Sequence, residues 1–524
     1  MSEVSQPPSA SNCKGGARVF LIALAGWMIL FFLYTRHNDF PYFYHTDEPS
    51  KAGQLLSGHR NFYHPALMLN ATDAVSAMLG VPHRAQEMVV VGRHISAAFA
   101  ALAVVGLGLI AWRLAGPWAG VLAGVFCGLQ SDFYDAAHYM KEDPYWIAGL
   151  AFTFLAAFHY WKKPGSSAAL LLGLAAGWAV SGKYIGSISV GIALLTIIGK
   201  MIASRSRNPL PLFLALLAGA VLFLGINHQI FTQEKAMTAG IGKEVEALYS
   251  EFHQKKSGEK WDRYLILLVQ VVPSVGLVLA SGLIVMSIGR GRKLTLPEWL
   301  FYLLPILLGI ALTFTPKTSS RYFLPIGLMF LTIAAIGLVR LIGFLRGQPS
   351  LPTWFWKTVA LLATLAIVFP LAKDYRKGWR AMSRDHRKEI ANYIRSNISL
   401  ETTIAADERA AVPTAADPRY AGFPELLPQK FLITRYTADL GTLDELRFQG
   451  VSHVIVSNRD VNRLDNEDNF NKEDRLKLPA RRQFYKDLRE QGIVEWRSKL
   501  GPNKYLNASL VLYRIQDPPQ VVSP

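Results

Sequence analysis

The feature that most constrains this chain is a succession of apolar runs, each about as long as a bilayer is thick. A helix crossing the hydrocarbon core needs roughly 20 consecutive apolar residues, because each residue advances only about 1.5 Å. By that measure we count about eleven spans before Lys373: 17–35, 88–112, 116–133, 144–161, 166–181, 184–203, 209–231, 262–289, 296–314, 321–346 and 353–373. Backbone amides in lipid must be satisfied within the chain, so runs of this kind fold as helices. The expected fold class is a polytopic α-helical membrane domain, residues 1–373, followed by a soluble α/β domain, residues 374–524. Gly182-Lys183-Tyr184 interrupts one long apolar stretch, giving either two short helices or one broken one.

Composition agrees with that division. Of 524 residues, 51% are hydrophobic and 18% charged, and the mean hydropathy is +0.22. The formal net charge of +17 raises the question of nucleic acid. No compact basic motif with interleaved aromatics accompanies it, so nucleic acid is excluded as a partner. Many cations instead flank apolar runs, where they set topology and meet anionic lipid headgroups. Cys13 and Cys127 are too few, and too separated by the first spans, for a disulfide framework. Residues 17–35 lack a small-residue cleavage site and read as a retained anchor.

Loop charges assign sidedness. Lys14 and Arg18, Arg113, Lys162 and Lys163, Arg205 and Arg207, Arg290 to Lys293, and Arg340 and Arg346 fall on alternate ends and belong in the cytoplasm. Asp47 and Glu48, Glu142 and Asp143, Lys183, and Pro316 to Arg321 fall on the other side. The expected location is therefore the plasma (inner) membrane, with a cytoplasmic N-terminus and an extracytoplasmic C-terminal domain.

The chemistry-bearing residues lie in those outer loops. Phe40-Pro-Tyr-Phe-Tyr-His-Thr-Asp-Glu-Pro49 sets two adjacent carboxylates at the membrane surface, either merely solvated or available as acid and base. Later in the same loop, segments 52–56 and 67–79 have apolar faces suited to lying on a bilayer. Between them is Asn61-Phe-Tyr-His-Pro-Ala-Leu67, in which His64 is a turn residue or a substrate contact. His138-Tyr-Met-Lys-Glu-Asp-Pro144 opens the fourth span, and Asp before Pro suits an N-cap and first turn. Capping does not explain why His138, Lys141, Glu142 and Asp143 collect there. Lys183 either snorkels or binds a lipid phosphate. Pro316-Lys-Thr-Ser-Ser-Arg-Tyr-Phe-Leu-Pro325 presents Lys317 and Arg321, a planar fork for phosphate oxygens or an interfacial anchor, with Tyr322 as a belt aromatic. The outer loop from Thr232 to Trp261 reads as a solvated amphipathic helix, with His228 and Gln229 as weaker candidates just before it.

After Lys373 the pattern alternates helix (387–396), strand (402–406), helix (443–449), strand (451–457), helix (481–491) and strand (509–515). No Gly-rich phosphate loop opens any of these helices. Asn70, Asn397 and Asn507 begin N-x-S/T triplets.

Taken together, Asp47-Glu48, the His64-Pro65 element, Glu142-Asp143-Pro144, Gly182-Lys183-Tyr184 and Pro316-Lys317 through Arg321-Tyr322 to Pro325 resemble the GT-C glycosyltransferases. The likeness is to the protein-O-mannosyltransferase and aminoarabinose-transferase group, over residues 17–345. The resemblance implies a polyprenyl-phosphate sugar donor, transfer to an acceptor lipid, glycan or protein, and membrane lipids as surroundings. By position, Asp47 would be the catalytic base with Glu48 beside it. Asp143 would match the acidic residue of the second outer loop, with His138 near where relatives have Arg. Lys183 and Arg321 would serve the lipid phosphate, and His64, Glu142, Tyr184, Lys317 and Tyr322 would line the substrate site. Asp47, Glu48 and Asp143 could also hold a divalent metal. Two departures concern the acceptor: Ala66 stands where relatives repeat proline, and no β-trefoil insert is present. The rival reading is a transporter or flippase that moves a lipid-linked sugar without cleaving it. A membrane-anchored binding protein is a third.

Overall fold

The computed structural model describes residues 10–515, except 44, 250–259, 290–293, 314–319, 421, 424, 468–469, 502 and 504–505. It forms two compact units. The first comprises Met1–Asn38, Ser50–His83 and Glu87–Tyr375, and the second Asp39–Pro49, Arg84–Gln86 and Arg376–Pro524.

The first unit is helical. Its helices are α1 (Ala10–Thr35), α2 (Glu48–Ser57, whose first two residues belong to the second unit), α3 (Leu67–Leu79), α4 (Ala85–Ala115) and α5 (Pro117–Gly128). They continue with α6 (Ser131–Ala137), α7 (Asp143–Lys162), α8 (Ser166–Gly182), α9 (Ile188–Ala203), α10 (Leu210–Ile226) and α11 (Glu234–Tyr249). The last are α12 (Lys260–Val271), α13 (Ser274–Gly289), α14 (Leu296–Thr313), α15 (Leu324–Arg346) and α16 (Thr353–Met382), of which α16 from Arg376 on, like the first two residues of α4, belongs to the second unit.

Among the described residues, five helical stretches are long and apolar enough to cross a membrane, and six shorter apolar helices accompany them. The chain is thus a multi-pass membrane protein. Two expected spans differ from expectation. The run at 262–289 is two helices, α12 and α13, because Pro273 cannot donate to the ladder and restricts the residue before it. The run at 116–133 is the twelve-residue α5, followed after a short break by α6.

Lipid offers no hydrophobic drive for one helix to leave it for another, so close backbone approach does the work. Helix α8 supplies it with Gly and Ala. A Cβ on Gly173 would collide with the Ala215 carbonyl oxygen of α10, and one on Gly149 of α7 would lie 2.6 Å from the Ala179 backbone of α8. Helix α15 is the central element, with every residue from Leu324 to Leu338 buried.

In the second unit a five-stranded sheet has the order β2-β1-β3-β5-β4, from β1 (Thr403–Asp407), β2 (Lys430–Thr434), β3 (Val451–Ser457), β4 (Ile493–Arg497) and β5 (Leu510–Arg514). Strands β2, β1 and β3 run parallel, and β5 and β4 close the sheet antiparallel. Alternation of side chains along the strands builds two cores. Val454, Val456, Val511 and Tyr513 face the helices Leu443–Phe448 and Leu478–Gln491, whereas Ile455, Leu510 and Leu512 face the helix His386–Asn397. Strands β2 and β4 were not anticipated. Both are edge strands whose residues remain largely half-exposed, so neither reads as an apolar run.

Candidate functional site

Glu142 and Asp143 open α7, and both are buried. Neither does what an N-terminal acid usually does. Glu142 occupies the N-cap with helical φ and ψ and makes no side-chain cap hydrogen bond. Each carboxylate faces a lysine instead. Lys51 Nζ of α2 lies 2.7 Å from Glu142 Oε1 and donates to the Met140 carbonyl at 2.8 Å. Lys183 Nζ lies 2.7 Å from Asp143 Oδ1. Lys183 reaches that position because α8 ends at Gly182 and Lys183 adopts an extended conformation before a short 3-10 turn, Tyr184–Ser187. The interruption read from sequence thus places the Lys183 ammonium on Asp143.

A Cβ on Gly182 would fall 2.6 Å from the Trp146 amide nitrogen. The start of α7 and the end of α8 thus touch backbone to backbone, which fixes the Asp143–Lys183 spacing. Tyr322 carries Lys183 Nζ 5.3 Å from its ring centroid, and the Arg321 guanidinium is also 5.3 Å from that centroid. Arg321 and Lys183 are within electrostatic reach of Lys141. Four cations, Lys51, Lys141, Lys183 and Arg321, gather around two carboxylates inside an apolar unit. Oε2 of Glu142, Oδ2 of Asp143 and Nε of Arg321 are buried with no hydrogen-bond partner among the described residues.

The electrostatics of the two groups just before α7 record this crowding. Burial opposes ionisation of Glu142, but Lys51, His64 and Lys141 together hold its carboxyl well below the usual carboxylate range. Burial drives Lys141 down to about 8, and Arg321 and Lys183 push the same way against Glu142 and Asp143.

The other expected residues divide. His64 sits near Glu142, as its influence on that carboxyl requires. The Tyr184 hydroxyl donates to the Phe62 carbonyl at 3.1 Å, tying the 3-10 turn to the His64 loop. His138 is fully buried, with its ring nitrogens 2.7 Å from the Tyr134 carbonyl and 3.0 Å from that of Arg36. Burial lowers its pKa to about 4, against the pull of the two carbonyls. Lys317 lies outside the described residues. Asp47 and Glu48 belong to the second unit. There, Asp47 Oδ2 is 3.5 Å from His45 Nδ1 with the Asp47 side chain 42% exposed, whereas Glu48 is buried. Among the described residues, no group of three or more His, Cys, Asp or Glu side chains is placed to hold a metal ion.

Sequence reading missed Lys51. It lies 91 positions before Glu142, on a short amphipathic helix where a lysine looks solvated, and no local signal marks it. It also undervalued the loop following α10. Asn70 Nδ2 donates to the Ile226 carbonyl at 2.6 Å and to Gln229 Oε1 at 2.9 Å, and Asn227 Oδ1 accepts from the Ala66 amide at 2.7 Å. Helix α11 is the amphipathic helix expected, with its described residues mostly exposed, and it meets the His64 loop along one face: a Cβ on Gly240 would collide with the Asn61 carbonyl, and Lys243 donates to the Tyr63 hydroxyl at 2.9 Å.

No protein-family model and no curated protein sequence matches the chain. Among solved structures it is similar to ArnT from Cupriavidus metallidurans bound to undecaprenyl phosphate, with a TM-score of 0.50 and 15% identity over 96% of this chain and 98% of ArnT. It also aligns with the Archaeoglobus fulgidus oligosaccharyltransferase tethered to an acceptor peptide, over 95% of this chain and 74% of that one, at 10% identity and a TM-score of 0.48. The S. cerevisiae protein O-mannosyltransferase Pmt1-Pmt2 complex bound to its sugar donor aligns over 45% of this chain and 36% of that one, at 16% identity and a TM-score of 0.34. The last two scores are too low to weigh. The ArnT likeness establishes a shared fold.

Proposed function

We propose that this protein is a membrane-embedded glycosyltransferase that moves a sugar from a polyprenyl-phosphate donor to a hydroxyl or amine of a lipid, glycan or protein acceptor on the extracytoplasmic face. The observation that carries the reading is the gathering of Lys141, Lys183 and Arg321 on Asp143, at the mouth of apolar helices. Such a cluster is expensive to bury unless an anion completes it. A lipid phosphate is the anion that apolar surroundings would deliver, and ArnT, which shares the fold, is bound to undecaprenyl phosphate.

In the proposed reaction the acceptor oxygen or nitrogen attacks the anomeric carbon from the face opposite the phosphate. The bond between that carbon and the phosphate oxygen breaks, its electron pair stays on the phosphate, and the configuration inverts. Lys183, Lys141 and Arg321 stabilise the negative charge that grows on the leaving phosphate. Asp143 acts through Lys183, by holding its ammonium in place, and Glu142 does the same for Lys51. Asp47 takes the acceptor's proton as general base. Its exposed carboxylate beside His45 suits an acceptor arriving from water, and it precedes Lys51 by four residues in the chain.

The test is acceptor-dependent release of polyprenyl phosphate from a labelled donor by the purified full-length chain. Asp47→Asn should abolish release while leaving the protein folded and inserted. Undiminished release in that variant refutes the base assignment. Donor crossing the bilayer with no release would instead favour the flippase.

A further inference from the structure

The second unit contains a crevice of about 280 Å³, lined on one side by His45, Thr46 and Pro49, the loop of the proposed base Asp47. It lies beyond the C-terminal ends of β1 and β3, flanked by the turn Glu408–Ala410 after β1 and the short helix Asn458–Val461 after β3. Strand β1 leads to β2 on one side of it, while the chain leaving β3 goes on to β4 and β5 on the other. Connections that diverge in this way leave a gap between them at the carboxyl ends of adjacent parallel strands, where ligands of open α/β sheets bind.

Five arginines line the gap: Arg387, Arg409, Arg419, Arg459 and Arg463. Among the described residues, no Asp or Glu lines it. Three of the arginines are paired with carboxylates that do not themselves line the gap. Asp385 takes Arg387 through two bonds of 2.8 Å, Asp460 takes Arg409 at 2.8 Å, and Asp417 takes Arg419 at 2.5 Å. Arg387 is itself almost wholly buried, and Oδ2 of Asp460 is buried with no hydrogen-bond partner among the described residues. Crowding shows at Arg463, whose pKa is lowered by burial and by Arg409 and Arg435 despite Asp460. Phe43 and Tyr420, with ring centroids 6.0 Å apart, add an aromatic wall. Guanidinium forks match phosphate oxygens two at a time, and the volume is near the small end of the roughly 300–1,000 Å³ typical of small-molecule sites.

We infer that this crevice binds a phosphate ester, with the arginines on the phosphate and the aromatic wall against the group it esterifies. The inference stands on the second unit alone and holds whether or not the chain transfers sugars.

Equilibrium binding to the purified full-length chain in detergent tests it. Glucose 1-phosphate and pyrophosphate serve as soluble probes, and dihexanoylphosphatidylglycerol represents a lipid headgroup. The expected result is saturable binding of at least one probe that weakens about tenfold or more in the Arg459→Gln, Arg463→Gln double variant, as loss of charge-assisted contacts requires. Lys183→Gln, which alters the other cationic cluster, should leave that binding in place. Preference for the soluble probes or for the lipid identifies the source of the phosphate. On the unsubstituted chain, the bound probe should shield Arg459 and Arg463 from phenylglyoxal, read by mass spectrometry. The proposal is overturned if no probe binds, if binding is unaffected by the double variant, or if no shielding is seen.

Discussion

Lys141 offers a direct way to detect an anion entering the membrane site. Its ammonium is held at about 8 rather than the ordinary 10.5, with burial the main cause and Arg321 and Lys183 adding to it. At roughly 1.4 kcal/mol for each factor of ten, that fall costs the charged form about 3 kcal/mol. A phosphate brought among Lys141, Lys183 and Arg321 returns part of that cost by favouring the charged ammonium, and its binding must draw protons from solution. At pH 8 about half of the Lys141 side chains are neutral in the empty site, so uptake should approach half a proton per phosphate bound. Near pH 6, where the lysine is already charged, uptake from this group should vanish. Titration calorimetry of undecaprenyl phosphate into the purified chain, repeated in buffers of different ionisation enthalpy, measures the number. Lys141→Met should remove the uptake. Stability gives an independent readout. Between about pH 8 and 10.5 the unfolded chain holds more protons at this lysine than the folded one, so the group's contribution to stability rises with pH across that window, and Lys141→Met should flatten the rise. Uptake unchanged in the variant, or no uptake at pH 8, would refute the placement of the phosphate at this cluster.

The Lys51–Glu142 pair is buried on both sides, so Lys51→Met or Glu142→Gln alone should cost about 3–5 kcal/mol. The double variant should cost much less than the sum, as read from denaturation in detergent. Gly173→Ala, which drives a methyl into the Ala215 carbonyl, should force α8 and α10 apart and cost about 1–3 kcal/mol by the same measurement. In a glycosylating host, Asn397 should be the triplet that accepts a glycan. Asn397 is exposed, whereas Asn70 is half-buried with its amide on Ile226 and Gln229, and Asn507 is buried on the carbonyls of Ala381 and Arg384, so mass spectrometry should find those two unmodified.

The parts legible in the sequence were those governed by local periodicity. Segment 67–79 is the helix α3, residues 451–457 form β3, and the break at Lys183 is where α8 stops. Long-range electrostatics were not legible. Nothing near Lys183 in sequence announces Asp143, 40 residues away, and nothing near Glu142 announces Lys51. An acid before proline has the same local signature whether it caps a helix or faces a lysine across the protein, and only packing decides. The α12–α13 break was missed, although Pro273 marks it, because the apolar run around that proline is long enough to conceal it. The edge strands β2 and β4 were not legible either, because a strand with one neighbour exposes too many of its residues to look apolar.

The contact between Gly182 and the Trp146 amide bears on how such a site could move. With α7 and α8 abutting at both Gly149 and Gly182, the acid at the head of one and the lysine at the tail of the other travel together as a single anvil. Arg321, by contrast, rides on a single 3-10 turn ahead of α15, so a shift on binding the proposed lipid-borne ligand would fall to Arg321 rather than to that pair. Swapping Gly182 for alanine would therefore loosen the wrong half, blurring a distance that the backbone now dictates.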